Sequence, residues 1–158
     1  MQTVNTRQLE KLSETLRGMR EQFPKSQRAY HERVAQTLKQ EIYWEIAATT
    51  NSTGKLASYQ EEHVGSRGGY AAIRARGGES GANSPGAITN YVENGHKIAA
   101  GARATRKPTT RKYRPRIKVG AVQGRHFYQH VLSRAMQIAM EEMDEFLTEL
   151  TEAANEKG

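Results

Sequence analysis

Three pairings in this chain have residue types and spacings suited to chemistry. His126 and His130 stand four apart, the interval at which two imidazoles share a helix face and can ligate one ion. The third ligand and the general base of an HExxH site are missing, and Arg125 and Arg134 surround the pair with positive charge. Glu93 and His96 offer an acid and a base, with no nucleophile or oxyanion hole beside them. Glu61 and Glu62 are adjacent, and neighbouring strand residues face opposite ways, so they make no carboxylate dyad. The glycine-rich run 77–86 lacks the GKS/T ending of a phosphate loop, and without cysteine there is neither a thiol nucleophile nor a thiolate zinc site. The expectation is a non-enzyme with no catalytic residues, no metal and no cofactor.

Charge is the stronger signal. Between Gly95 and Gly120 stand nine bases and no acid: Lys97, Arg103, Arg106, Lys107, Arg111, Lys112, Arg114, Arg116 and Lys118. The whole chain carries a net charge of +7, so the remainder is slightly negative and the basicity is local. An acidic stretch follows: Glu141, Glu142, Asp144, Glu145, Glu149, Glu152 and Glu156. A cationic loop on a near-neutral body suits a polyanion or the acidic face of a neighbouring subunit. Tyr113 is the one aromatic in the basic stretch, so base stacking is not its task and sequence-independent phosphate contact is the most it can offer.

The elements that must carry these residues follow from periodicity. Leu9, Leu12, Leu16 and Met19 predict a helix over 6–22, with Thr6 as N-cap and Pro24 ending it. Tyr30, Val34, Leu38, Ile42 and Ile46 predict a second, longer helix over 25–50, with Ala35, Trp44 and Ala47 widening its buried stripe. Leu56–His63 and Tyr70–Arg76 read as a hairpin, 87–94 as a short helix closed by Gly95, and Arg116–Ala121 as a third strand. The last helix runs over 125–155. Its apolar face is Phe127, Val131, Ala135 and Ile138, continued by Leu132, Ala139, Met143, Phe146, Leu150 and Ala154. These predict one α+β domain over 1–158: N-terminal helices 6–50, a small antiparallel sheet with loops over 54–121, and the C-terminal helix, with the long helices packed on the sheet.

An apolar fraction of 36% and a mean hydropathy of −0.81 are low for a self-contained globule. Unpacked segments and stability supplied by neighbouring subunits both account for this. The first residues, Met1–Arg20, have no apolar core, so no signal peptide is expected, and no apolar run nears the roughly 20 residues that span a bilayer.

Three segments carry a family resemblance. Ser52-Thr53-Gly54-Lys55-Leu56-Ala57-Ser58 resembles the TG–base–L–x–x–S turn that opens the sheet in a family of bacteriophage neck and tail-completion proteins, matching it over Thr53–Leu56 with the serine one residue early. Tyr91-Val92-Glu93-Asn94-Gly95-His96 is similar to that family's Y-x-x-x-V-E-x-G element in its V-E-x-G part, with Tyr91 directly before Val92. Gly124-Arg125-His126-Phe127 is similar to the G-R-x-F signature that leads into its terminal helix. The chain departs from the pattern at Asn94, at His126, where proline is frequent, and at Tyr128. Without the family, Thr53, Gly54 and Gly95 read as turn-makers, Gly124 as a close approach and Phe127 as a core anchor, with Arg125 outside.

The resemblance implies a virion protein made in the bacterial host cytoplasm and built into the neck. There it would form a homo-oligomeric ring, six-fold rather than twelve-fold. Its partners would be the portal or connector and the tail-terminator or tail-tube proteins, with genomic DNA passing through the lumen and no membrane involved. The nine bases would face that DNA or clamp a neighbour, and Glu141, Glu142, Asp144, Glu145 and Glu149 would form an acidic interface. The alternative is a sequence-independent nucleic-acid-binding protein acting through the loop 97–118.

Overall fold

The structure, a computed structural model, describes residues 6–50, 54–97 and 121–155, the last three by their backbone alone. Two long helices dominate it: α1 (Thr6–Thr49) and α3 (Phe127–Asn155). Between them lie a one-turn 3-10 helix (Ala57–Tyr59), strands β1 (Gln60–Val64) and β2 (Ala71–Ala75), helix α2 (Pro85–Asn94), and the short strands β3 (Gly95–Lys97) and β4 (Ala121–Gln123). β1 and β2 pair antiparallel from Gln60–Ala75 to Val64–Ala71, and β3 and β4 form a separate antiparallel ribbon. The fold is α+β, with a small antiparallel sheet packed against long helices.

The helix expected to stop at Pro24 does not stop: α1 is continuous over 44 residues with Pro24 inside it. A mid-helix proline forfeits a backbone hydrogen bond and costs about 3 kcal/mol. Packing on both sides of it explains the continuity. Phe23 meets the Phe146 ring edge-on at 6.0 Å, and Tyr30 meets the same ring at 5.5 Å. One α3 side chain therefore clamps the turns flanking the proline in a single helical phase.

α1 and α3 run antiparallel, and two clusters seal their contact. Ile42, Ile46, Leu56, Tyr59, Phe127 and Val131 fill one end, and Tyr30, Val34, Phe146 and Leu150 fill the other. Tyr30 Oη also donates to the Ala139 carbonyl at 3.0 Å. Several sequence expectations need correction here. Trp44 is 60% exposed and Ala47 is exposed, so only Ala35 widens the buried stripe of α1. Leu132 and Met143 point outward rather than into the core. Leu56–Tyr59, expected in the first strand, is a turn running into the 3-10 helix Ala57–Tyr59, because Ser58 N–H bonds Gly54 O and Tyr59 N–H bonds Leu56 O before the strand begins. Ala121, the one described residue of the strand expected over 116–121, lies in β4, which pairs with β3 rather than with the hairpin. The expected strand residues 116–120, the turn residue Thr53 and the Ala154 side chain lie outside the described residues.

Candidate interaction surfaces

The start of α3 is built from all three resemblance segments. Phe127 is fully buried, against a cluster that includes Leu56. Gly95 ends α2 at φ 73°, a left-handed value that favours glycine. Gly124 crosses the end of α2 so closely that a Cβ there would strike the Glu93 carbonyl oxygen and come within 2.8 Å of the Asn94 carbonyl carbon. Arg125 N–H donates to Val92 O at 2.8 Å and His126 N–H to Glu93 O at 3.1 Å. His126 itself sits at φ 54°. That value is incompatible with helix, so α3 opens at Phe127 and not at Arg125. Arg125 is exposed, as expected, and the Tyr91 and His96 rings meet at a tilt of 48° with centroids 5.2 Å apart.

Glu93 has a structural task. Its carboxylate is 6% exposed and accepts the backbone N–H groups of Tyr128 and Gln129 at 3.1 and 3.4 Å, capping α3 where the helix dipole favours negative charge. Beside it, the Tyr128 hydroxyl donates to Gln60 Oε1. Gln60, almost wholly buried, donates in turn to Leu56 O at 3.0 Å and Thr89 Oγ1 at 3.1 Å. Burial, then the Glu93 carboxylate, push the Tyr128 phenol up to about 12. This network locks the 3-10 turn, α2 and α3 together.

His130 lies across the helix pair from a carboxylate, its Nδ1 2.8 Å from Glu45 Oε1, and Arg134 reaches Glu41 at 3.0 Å and Glu45 at 3.4 Å. These are bonds between α1 and α3. Among the described residues no three His, Asp or Glu side chains gather around a common ion position. Glu61 and Glu62 are both exposed, and Glu62 accepts from Lys39 Nζ at 2.8 Å.

Of the nine bases, Lys97 is exposed on β3, opposite Ala121 on β4. Arg103, Arg106, Lys107, Arg111, Lys112, Arg114, Arg116 and Lys118 lie outside the described residues. The acidic set divides. Arg33 of α1 reaches Glu142 at 3.2 Å, Glu145 at 3.7 Å and Glu149 at 3.0 Å. Burial works against the charged guanidinium, and the carboxylates of Glu149, Glu145 and Glu142 outweigh it, leaving the pKa above its ordinary value. Glu141 and Asp144 are exposed and make no ion pair among the described residues.

Sequence reasoning missed three features. Arg33 is one base among many in α1, and nothing in its spacing marks it as the partner of three acids. Gln60 gave no signal as a buried group. The third was visible: α3 carries a second apolar stripe, Leu132, Met136, Met140, Met143 and Leu147, beside its core stripe. Apolar residues over that much of a helix exceed what one neighbour covers. Met136 is 75% exposed and Leu132 72%. Leu9, Leu12 and Leu16 of α1 are likewise more than half exposed.

Comparison with family models, curated proteins and solved structures finds no match to this chain. Among the described residues, no helix is long and apolar enough to cross a membrane.

Proposed function

We propose that this chain is a structural virion protein of a tailed bacteriophage. In this reading it forms a homo-oligomeric ring in the neck, joining the portal or connector of the DNA-filled head to the tail, and it performs no catalytic step. The observation that carries the reading is the meeting of its three motif segments at one place. Gly54–Leu56, Tyr91–Gly95 and Gly124–Phe127 converge at the start of α3 and fix the β3–β4 ribbon. Lys97 and Ala121, the residues that flank 98–120 in sequence, pair across that ribbon, so both ends of the basic segment are tied to one point of the body. Repeated around a ring, such a segment concentrates positive charge at one level of the assembly. DNA must slide past it, which suits diffuse phosphate contact rather than base readout. The test is electron microscopy of a lysate from phage bearing an early nonsense codon in this gene. Separate filled heads and finished tails are expected, and normal infectious particles would overturn the reading.

The concentration of nine bases in one segment favours a second reading, sequence-independent nucleic-acid binding by the chain alone. Duplex affinity measured against salt separates the two. Tight binding by monomer, with a slope that falls by about 0.9 per charge when Arg111, Lys112, Arg114 and Arg116 are neutralised, would favour the second.

A further inference from the structure

We infer that the leading turns of α1 dock on the outward face of α3 in a second copy of this chain, a head-to-tail contact that can repeat. The inference deepens the ring reading and rests on it for the identity of the partner.

The two surfaces come from the packing already described. α1 has 44 residues and α3 has 29, and they are aligned where Ile46 meets the Phe127 cluster. About four turns of α1 therefore have no α3 beside them. Those turns continue the stripe that packs α1 against α3: Leu9, Leu12 and Leu16 lead into Met19, which is packed against the Phe146–Leu150 cluster. A helix face that is core at one end and bare at the other is built for a partner helix.

The outward stripe of α3 is a matching receptor. Leu132, Met136, Met140, Met143 and Leu147 follow helical spacing over about 22 Å, against about 18 Å for the overhang from Thr6 to Arg17. At its Leu132 end the stripe runs into an apolar groove of about 340 Å³ between α1, β2 and α3, lined by Ile42, Ala72 and Val131 among others. Methionines adapt to an incoming side chain at little cost, and an amphipathic helix in an apolar groove is a recurrent docking mode.

Charge favours this pairing over either face meeting its own copy. Beyond Met140, α3 carries six carboxylates and no base as far as Asn155, and Arg33 occupies three of them. Glu141, Asp144 and Glu152 make no ion pair among the described residues. The overhang has three cations, Arg7, Lys11 and Arg17, against two carboxylates, Glu10 and Glu14. One heterologous contact covers both bare stripes, whereas a two-fold contact through α3 leaves Leu9, Leu12 and Leu16 uncovered.

The test uses the full chain with two double substitutions at exposed positions, Leu12→Glu with Leu16→Glu and Met136→Glu with Met140→Glu. Circular dichroism checks that each stays folded, and sedimentation reads the mass. Wild type is expected to associate with rising concentration, and each variant alone to remain monomeric. An equimolar mixture of the two is expected to give a one-to-one dimer and nothing larger, because each variant keeps the face the other has lost. Unchanged assembly of both variants, a wild type that stays monomeric, or a dimer formed by only one variant alone would overturn the proposal. Normal particles from the nonsense phage would remove the neck reading and leave this contact to be decided by sedimentation.

Discussion

The Glu93 carboxylate accepts the Tyr128 backbone N–H at 3.1 Å, so α2 caps α3 across 35 residues of sequence. An acid that sequence alone could pair with His96 is spent on a helix end. Glu93→Ala leaves the Tyr128 and Gln129 N–H groups at the start of α3 without their acceptor, and a loss of about 1–2 kcal/mol is expected in urea denaturation. Glu93→Gln, which keeps an acceptor oxygen but not the charge, is expected to lose about half as much.

Tyr128 predicts an alkaline limit. Its phenol titrates near 10.0 when free and at about 12 in the fold, so the folded state holds this proton more tightly. Its contribution is complete below pH 10 and declines as pH rises from about 10 towards about 12. Stability measured across that range is expected to fall less steeply in Tyr128→Phe than in wild type. The variant's neutral-pH stability drops separately, since Gln60 loses a donor, so the slope is the readout.

His126 at φ 54° holds a conformation that costs an L-residue about 1 kcal/mol. His126→Gly is expected to raise the melting temperature, with a gain of about 0.5 kcal/mol after the added freedom of the unfolded chain. His126→Pro is expected to lower it sharply, because proline cannot reach positive φ and removes the N–H that Glu93 O accepts.

Gly124→Ala tests the crossing of α2 and β4. The added methyl meets backbone on both Glu93 and Asn94, which no rotamer relieves. A loss of about 2–3 kcal/mol is expected. Hydrogen exchange should show faster exchange at β3 and β4 before the α1–α3 pair is affected, since the ribbon bears the strain first.

Arg33→Met removes the cation that, among the described residues, pairs with Glu142, Glu145 and Glu149. With Arg33 and Glu142 each mostly buried and Glu145 largely exposed, a loss of about 1–2 kcal/mol is expected, smaller in high salt. A double-mutant cycle with Glu142→Gln isolates that pair.

Periodicity made the helices legible, because Tyr30, Val34, Ile42 and Ile46 report a buried face wherever the partner lies. It failed at Pro24, where the local rule was right about the cost and could not know that Phe146 reaches both sides of the break. Gly95 signalled a turn and Gly124 a close approach, but which elements they bring together depends on contacts between α2 and the β4 end that no local pattern encodes. Glu142, Glu145 and Glu149 were legible as acids and illegible as partners of Arg33, since more than 100 residues separate them, as the 109 between Arg33 and Glu142 illustrate. Leu132 and Met143, expected on the apolar face of α3, are exposed, since spacing marks a helix face as apolar without telling whether anything covers it.

The β3–β4 ribbon brings the two ends of the intervening sequence side by side. Lys97 and Ala121 are held opposite each other by the body of the protein, so the ends are already joined whatever lies between them. Lengthening a closed loop is thermodynamically cheap, about 0.6 kcal/mol for each doubling. The knot at Glu93 and Phe127 is made of residues on either side of that ribbon, so a change in the number of residues between Lys97 and Ala121 is expected to cost it little stability.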